Sequence, residues 1–251
     1  MIIHAVTFDC WGTLLLDSPA SDERYRDRRL AGVQRILKTI GVEIPRRELN
    51  EAYDASGCWL ARTWQKRRDV PVSEHVHEIL TTLDPRLPER LGPTLLSALT
   101  EAYAHPALLA SPELDRSAAS ALETLATRGL AIGVVSNVMR TPGSVLRQIF
   151  ERSGLLASMK VLTFSDECGI RKPDPDIFRL TLRQIGVAPE DAVHVGDDPI
   201  LDDEGARAAG MAVIHLAPSG RATAPVKPDA VIRELRDVPA ALDRLASTRT
   251  R

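Results

Sequence analysis

Residues 2–13 of this chain, IIHAVTFDCWGT, decide its fold class. Apolar and β-branched side chains continue up to Phe8 and stop abruptly at Asp9, after which Gly12 and Thr13 break the pattern. This pattern is typical of a buried strand that runs into a tight loop. Ligands of open parallel sheets bind beyond the carboxyl ends of the strands, so we expect a functional site around Asp9.

The chain then changes character and is predicted to be helical from about residue 20 to residue 104. Apolar residues recur there at the spacing of one helix face, and no strand-like alternation interrupts them. Ser73 is a candidate N-cap for the third of four predicted helices. The buried faces of these helices are predicted at Leu30, Val33, Leu37 and Ile40; at Leu49, Tyr53, Leu60 and Trp64; at Val76, Ile79, Leu80 and Leu83; and at Leu91, Leu95, Leu99 and Tyr103.

From about residue 112, strand-like runs alternate with helical segments. A helix is predicted from Leu114 to Gly129, and the strand-like runs after it are LAIGVV, MKVLTF, AVHVG and MAVIHL. Asp174 followed by Pro175 is typical of an N-cap with proline at the first helical position, and Asp202 is a candidate cap of a short helix. Alternation of this kind predicts parallel βαβ units with right-handed crossovers. Residues 218–228 are predicted to form a polar, proline-containing loop.

The order of these segments predicts an α/β fold. It consists of a Rossmann-like parallel sheet core with helices on both faces and an inserted α-helical cap domain. The predicted core is discontinuous and comprises residues 1–15 and 112–251. The predicted cap comprises residues 16–111, so it is inserted directly after the first strand.

Composition excludes several classes of protein. The 251 residues include 32 basic and 34 acidic side chains, a formal net charge of −2 that provides no electrostatic footprint for nucleic acid. No apolar run approaches the roughly 20 residues of a membrane span. The three cysteines are scattered and fit no metal or disulfide framework, which suits a reducing compartment. We expect a cytoplasmic protein, a monomer or homodimer, without nucleic-acid or membrane partners.

Polar side chains occur at four predicted strand ends or in the loops after them. Asp9 follows the first strand, Ser136 and Asn137 the second, and Asp197 the fourth, while Lys172 lies in the loop after the third. Carboxylates that meet at one edge of a sheet repel each other unless a cation such as Mg²⁺ neutralises them. A lysine and a hydroxyl beside them would face an anionic substrate. This combination of groups suits phosphoryl transfer.

Four motifs together resemble those of a known family. They are Asp9-Cys10-Trp11-Gly12-Thr13-Leu14, Ser136-Asn137, Lys172-Pro173-Asp174-Pro175 and Val195-Gly196-Asp197-Asp198 followed by Asp202. In this order they resemble the four motifs of the haloacid dehalogenase superfamily, and the helical insert resembles its C1-type cap. The resemblance covers nearly the whole predicted core domain.

The resemblance implies a role for each matching residue. Asp9 would be the nucleophile that forms an aspartyl-phosphate, and Lys172 would bridge the Asp9 carboxylate and the phosphate. Asp202 would hold a metal-bound water or orient Lys172. The implied catalytic residues are Asp9, Lys172 and Ser136; the implied substrate-binding residues are Ser136, Asn137, Lys172 and Thr13; and the implied Mg²⁺ ligands are Asp9, Trp11 through its backbone carbonyl, Asp197 and Asp202.

Trp11 departs from the family pattern. Most phosphatases of the superfamily carry at this position an aspartate that protonates the leaving group, and an indole cannot act as a general acid or base. Three interpretations follow: a phosphatase with a good leaving group or an acid from the cap, a metal-independent 2-haloacid dehalogenase, and a catalytically impaired binding protein. The metal-binding form of the motif at Asp197 favours a Mg²⁺-dependent phosphatase acting on a small phosphorylated substrate.

The predicted cap offers several candidates for substrate contact. Aromatic rings there could stack on a substrate, and arginines could hold a second anionic group. Packing is the more common explanation for tryptophans at this spacing, and exposure to solvent is the more common explanation for such charged side chains. The candidates are Arg24, Arg26, Arg28, Trp59, Arg62, Trp64 and Lys66.

Overall fold

The computed structural model describes residues 2–16, 19–218 and 227–248. Their main feature is a six-stranded parallel sheet with the strand order β5-β4-β1-β6-β7-β8. A second, two-stranded sheet pairs β2 with β3. The strands are β1 (Ala5–Phe8), β2 (Leu15–Leu16), β3 (Glu113–Leu114), β4 (Ala131–Ser136), β5 (Val161–Phe164), β6 (Ala192–Gly196), β7 (Ala212–Leu216) and β8 (Ala230–Ile232).

Helices cover both faces of the six-stranded sheet, and these observations confirm the predicted α/β fold class. Successive residues of β1 alternate between the faces: Val6 and Phe8 belong to one apolar cluster, and Ala5 belongs to another. The helices are α1 (Pro19–Thr39), α2 (Arg46–Gln65), α3 (Val72–Leu83), α4 (Leu87–Arg90), α5 (Pro93–Ala104), α6 (Pro106–Leu109), α7 (Ala118–Thr127), α8 (Gly143–Arg152), α9 (Ser165–Cys168), α10 (Pro175–Ile185), α11 (Gly205–Ala209) and α12 (Val238–Thr248).

Helices α1–α5 surround an apolar cluster of their own. Leu30 and Leu37 of α1, Leu49 of α2 and Leu80 of α3 are fully buried in it. The antiparallel pair β2–β3 joins this helical block to the sheet, with Leu15 opposite Leu114. A separate cluster accords with the predicted cap at residues 16–111, whose limits stay a prediction.

Several local predictions about helix ends and buried helix faces are wrong. The N-cap of α3 is Pro71, because the helix already begins at Val72 and Ser73 lies inside its first turn. Leu114 pairs in β3 and α7 begins only at Ala118. Ile40 follows the end of α1 and is 40% exposed. Strand β8 and helix α12 had not been predicted.

Two further observations concern the predicted loop at residues 218–228 and the apolar character of the helices. Of the predicted loop at 218–228, residues 219–226 lie outside the described residues. Among the helices that the structure describes, none combines the length and the apolar character needed to cross a membrane.

Candidate active site

Three carboxylates meet at the carboxyl edge of the sheet. Strands β1 and β6 are hydrogen-bonded neighbours, so Asp9 after β1 and Asp197 after β6 emerge side by side. Asp202 lies in a π-helical turn, Pro199–Glu204, that follows β6. One carboxylate oxygen from each of Asp9, Asp197 and Asp202 lies within 4.8 Å of the other two.

Two glycines make this close approach possible. Gly12 has a φ of 83°, and a Cβ at this position would lie 2.6 Å from Asp197 Oδ1. A Cβ at Gly196 would collide with the side chain of Asp202. Glycine is therefore required at both positions for the carboxylates to stand where they do.

Lys172 lies between two of these carboxylates. Its Nζ is 2.5 Å from Asp9 Oδ1 and 2.6 Å from Asp202 Oδ1, and its side chain is 2% exposed. Burial alone would lower the pKa of Lys172, but the charges of Asp202 and Asp9 raise it above its ordinary value. The lysine therefore stays protonated and supplies a fixed positive charge beside Asp9.

The three carboxylates differ in their pKa values. Burial, and to a smaller extent the charges of Asp202 and Asp197, raises the pKa of Asp9 to about 7 in spite of the charge of Lys172. Burial and the charge of Asp202 also raise the pKa of Asp197. Lys172 holds the pKa of Asp202 well below its usual range, although burial opposes this shift. Asp202 is thus the anionic partner of Lys172, while Asp9 and Asp197 gain most from further positive charge.

Both carboxylate oxygens of Asp202 accept hydrogen bonds from the protein. Oδ1 contacts Lys172 and, at 3.1 Å, His194 Nε2, while Oδ2 accepts the backbone N–H of Asp198 at 3.0 Å. Thr7 Oγ1 lies 2.8 Å from His194 Nδ1, so a neutral His194 with its proton on Nε2 satisfies both neighbours. Asp202 does not cap a short helix as predicted, because Asp198 caps the π-helical turn.

The remaining predicted residues hold the loops of the site in place. Thr13 Oγ1 donates to Asp197 Oδ1 at 3.1 Å, and Ser136 Oγ, fully buried, donates to the Asn137 carbonyl at 3.3 Å. The side chain of Asn137 forms two hydrogen bonds with the backbone of Lys172, which donates its N–H at 2.8 Å and accepts at 3.0 Å. This reciprocal pair fixes the loop that carries the lysine.

A cavity of about 850 Å³ opens above these groups, between the sheet edge and the helical block. Asp9, Trp11, Asn137, Lys172, Asp197 and Asp202 line its floor. Residues of α1, α2 and the loop after β4 also line it: Tyr25, Arg26, Arg29, Tyr53, Met139 and Arg140. The structure therefore brings the predicted nucleophile, lysine and metal ligands together at one end of a space large enough for a small metabolite.

Sequence reasoning missed several polar residues of this region. Among the seven cap candidates, Arg26 lines the cavity, whereas Arg29 and Arg140 had not been considered. Trp64 instead donates its Nε1–H to Asp69 Oδ1 at 3.0 Å, and Asp69 pairs with Arg171 at 2.6 Å. The proximity of Arg171 to Lys172 was the one signal in the sequence.

The comparisons with known proteins agree on the family. Residues 3–210 match the family model of haloacid dehalogenase-like hydrolases. A glyceraldehyde 3-phosphate phosphatase from Methanopyrus kandleri is 30% identical over 220 residues, which are 86% of this chain and 84% of that protein. A phosphoserine phosphatase from Thermus thermophilus is 38% identical over 112 residues, and the chain spans only 44% of its length.

A solved structure matches over almost the whole chain. The 2-haloacid dehalogenase from Pseudomonas syringae pv. Tomato DC3000 is 28% identical with a TM-score of 0.72, covering 97% of this chain and 100% of its own. Relatives with both kinds of activity therefore share this fold. The family model and the relatives show that this chain belongs to the haloacid dehalogenase-like hydrolase family.

Proposed function

We propose that this hydrolase is a Mg²⁺-dependent phosphatase that acts on a small phosphorylated metabolite, with Asp9 as the nucleophile. One observation carries the proposal: Asp9, Asp197 and Asp202 converge within 4.8 Å, with Lys172 against two of them. An oxygen-rich group of carboxylates fits a hard cation. The raised pKa values of Asp9 and Asp197 also fit this role, because both acids would ionise more readily beside an added cation.

The donor set indicates which residues would hold the cation. Asp9, Asp197 and the backbone carbonyl of Trp11 are the proposed ligands. Asp202 already accepts three protein donors, so its proposed role is to orient Lys172 and to complete the shell around the site. The chemistry that Mg²⁺ supplies when bound is neutralisation of negative charge on the carboxylates and on the phosphoryl oxygens.

The reaction would proceed in two steps on Asp9. An Asp9 carboxylate oxygen attacks phosphorus, and the bond between phosphorus and the leaving oxygen breaks with its electron pair on the leaving group. Lys172 keeps the carboxylate in place and balances the charge of the entering phosphoryl group. Water then attacks the aspartyl-phosphate, which releases inorganic phosphate and restores the Asp9 carboxylate.

Trp11 determines which leaving groups the site accepts. Its indole carries no titratable proton, so the leaving group departs as an anion or takes its proton from elsewhere. Acyl phosphates and phosphoanhydrides have leaving groups that are stable as anions. The proposed substrates are therefore phosphorylated metabolites of this kind, in contrast to simple alkyl phosphates.

Two observations favour a second candidate, a 2-haloacid dehalogenase. Halide leaves without a proton, which suits Trp11, and the 2-haloacid dehalogenase structure matches the whole chain at 28% identity. The phosphatase is preferred because Asp197 would stand as an additional negative charge beside an anionic haloacid, and because the phosphatase relatives include one matched over 86% of the chain. The third interpretation, an impaired binding protein, predicts metal binding without turnover.

The deciding experiment is an assay of the full chain on acetyl phosphate, p-nitrophenyl phosphate and 2-chloropropionate, each with Mg²⁺ and with EDTA. Phosphate release that requires Mg²⁺ and favours acetyl phosphate supports the proposal. Chloride release that ignores EDTA replaces it with the dehalogenase, and absence of turnover with intact Mg²⁺ binding replaces it with the binding protein. Asp9→Asn should abolish hydrolysis, whereas Asp174→Asn, at the half-buried N-cap of α10, should not.

A further inference from the structure

The four arginines that line the cavity fall into two groups. Arg26 pairs with Asp54 at 2.9 Å, and Arg171 pairs with Asp69 at 2.6 Å. Within the part of the chain that the structure describes, no acidic side chain forms an ion pair with Arg29 or Arg140. These two arginines have only neutral partners.

Arg29 of α1 is 3% exposed. Its Nε donates to the Tyr103 carbonyl at 3.1 Å, and its Nη2 donates to Thr141 Oγ1 at 2.9 Å. Its guanidinium carbon lies 5.5 Å from the centre of the Tyr103 ring. These contacts fix the side chain at the cavity wall and leave its positive charge without a counter-ion.

Arg140 lies in the loop after β4, opposite α2. Its Nη1 donates to Ser56 Oγ at 3.1 Å and to Tyr103 Oη, and its Nη2 donates to the Tyr53 carbonyl at 3.1 Å. The guanidinium carbon stands 3.7 Å from the centre of the Tyr53 ring. A Cβ at Gly57 would lie 3.0 Å from Nη2, so the glycine leaves room for this side chain. These three hydrogen bonds use three of its five N–H groups.

A buried histidine, His75, lies close enough to both arginines for their charges to act on it. His75 is 1% exposed, and neither of its ring nitrogens has a hydrogen-bond partner among the described residues. Burial, and then the charges of Arg140 and Arg29, lowers the pKa of His75 to about 3. Asp27, an acid of α1 that also lines the cavity, pairs with Arg46 at 2.6 Å.

A desolvated cation whose partners are all neutral is costly, so a ligand anion would stabilise Arg29, which is buried, and Arg140, which is half-buried. We infer that Arg29 and Arg140 form a second anion site in the cavity that Asp9 also lines, and that this site binds a further anionic group of the substrate. The substrate would then be a phosphorylated metabolite with a second carboxylate or phosphate. This inference rests on the proposed phosphatase function and specifies its substrate class.

The inference predicts a preference between matched substrates. Glutaryl phosphate and pentanoyl phosphate, two acyl phosphates of the kind that the site should accept, test a carboxylate, and 1,3-bisphosphoglycerate and glyceroyl phosphate test a second phosphate. In at least one pair the wild type should favour the member with the additional anion about tenfold to a hundredfold in kcat/KM, the range for a charge-assisted hydrogen-bonded contact. The pair that responds identifies the anion.

Three variants test the residues. Arg140→Gln should remove most of the preference through an increase in KM, while turnover of acetyl phosphate, which has no second anion, stays within about threefold of wild type. Arg140→Lys should restore part of the preference, because it returns the charge without the planar fork. Arg26→Gln is the matched control: it also removes a cavity arginine, but one that is already paired, so the preference should persist.

Arg29 is buried, so Arg29→Gln could unfold the helical block; Arg140, which is half-buried, provides the decisive variant. Equal use of both members of each pair by the wild type overturns the inference. An equal loss on both members in Arg140→Gln also overturns it, since that pattern indicates a structural role.

A binding measurement separates this inference from the proposed function. Calorimetric titration of the wild-type chain with phosphonoacetate and with ethylphosphonate, which are not hydrolysed, in the presence of Mg²⁺, needs no turnover. Tighter binding of phosphonoacetate, lost on adding Arg140→Gln, supports the second anion site even if no phosphate ester is hydrolysed. Equal binding of the two phosphonates, together with active hydrolysis of acetyl phosphate, overturns the anion site and leaves the phosphatase standing.

Discussion

At the residue scale, Lys172 connects polar residues of the site through both its side chain and its backbone. Its Nζ joins Asp9 to Asp202, and its backbone is held by the side chain of Asn137. The sequence indicated Asp9 and Asp197 because each directly follows an apolar run, and it indicated Lys172 because this residue lies in the loop after such a run. It could not indicate that Asn137 holds the lysine loop or that His194 contacts Asp202, since such contacts depend on side-chain directions across different strands.

Replacement of Trp11 by aspartate should widen the range of leaving groups. The new carboxyl group can protonate a poor leaving group, a contribution of about 10²–10⁴ in rate where it is well placed. We expect kcat/KM for glycerol 3-phosphate to increase relative to that for acetyl phosphate, measured as phosphate release. Trp11→Asn is the control, because asparagine has nearly the same shape as aspartate but no titratable proton. This variant should show no such increase.

Trp11 also packs against the core cluster below the cavity. Both substitutions are therefore expected to lower the free energy of unfolding by about 1–3 kcal/mol, less than a fully buried tryptophan would lose. Thermal unfolding of the two variants checks that they are equally folded. If the ratio of the two substrates is unchanged in a folded Trp11→Asp, the proposed explanation of the leaving-group preference is wrong.

Replacement of Asn137 by alanine should release the lysine loop. Loss of two partly buried hydrogen bonds costs about 1–3 kcal/mol of stability. Because Lys172 also loses its fixed position, kcat should decrease about tenfold with a smaller change in KM. Steady-state kinetics and urea unfolding measure the two effects. Asn50→Ala is the control, because Asn50 also lines the cavity and its side chain accepts a long 3.4 Å contact from Arg26. A change confined to stability would contradict the positioning role.

At the scale of the elements, strands β1 and β4–β7 were predicted because they are apolar runs of four to six residues with clear polar ends. Strands β2, β3 and β8 contain two or three residues, too few for any periodicity. Pairing with a neighbour, rather than local sequence, makes them strands. The π-helical turn was not predicted for a similar reason. Its Asp202 contacts Lys172 from another part of the chain, and Asp198 caps the turn.

The carboxylate of Asp166 in α9, which lies against the N-terminus of α8, should destabilise the protein as pH rises. Burial raises the pKa of Asp166 from 3.8 to about 6, although its side chain accepts the Gly143 N–H at 3.2 Å. The folded state therefore holds a proton that the unfolded state releases, and stability decreases as pH rises from about 4 to about 6. Asp166→Asn removes this dependence and should stabilise the protein by about 1–3 kcal/mol at pH 8, with little effect at pH 4.

Urea unfolding of wild type and variant at both pH values measures this difference. Asp174→Asn is the control, because Asp174 is a more exposed N-cap of α10 and asparagine caps equally well. Its effect should stay within about 0.5 kcal/mol at either pH. A stabilisation by Asp166→Asn of the same size at pH 4 and pH 8 would show that the charge is not its cause.

At the scale of the whole molecule, the cavity is formed where the helical block meets the sheet edge. The Asp69–Arg171 pair connects the segment between α2 and α3 to the loop of Lys172, and Arg140 connects the loop after β4 to α2. The sequence predicted the two parts but not how they face each other. Arg29 and Arg140 are 111 positions apart, so only their meeting across this junction identifies them as a pair.

Mg²⁺ binding should make the free energy of unfolding of the whole protein depend on pH. The pKa of Asp9 is about 7 in the metal-free chain, so a proton competes with Mg²⁺ below that pH and is released when the cation binds. At pH 8, Mg²⁺ at 100 times its dissociation constant would stabilise the folded state by about 2.7 kcal/mol. For a chain of this size that raises Tm by about 5–10 °C. At pH 6 the affinity is about tenfold lower, and the gain falls to about 1.4 kcal/mol.

Thermal unfolding with Mg²⁺ and with EDTA, at pH 6 and pH 8 and at constant ionic strength, measures this coupling without any substrate. Asp197→Asn should abolish the Mg²⁺-dependent shift in Tm, because it removes a proposed ligand, while Asp174→Asn should retain it. The direction of the pH dependence is decisive, since a carboxylate with a raised pKa binds metal better as pH increases. A shift that is equal at both pH values would exclude Asp9 as a ligand, and one that grows as pH falls would contradict the whole proposed metal site.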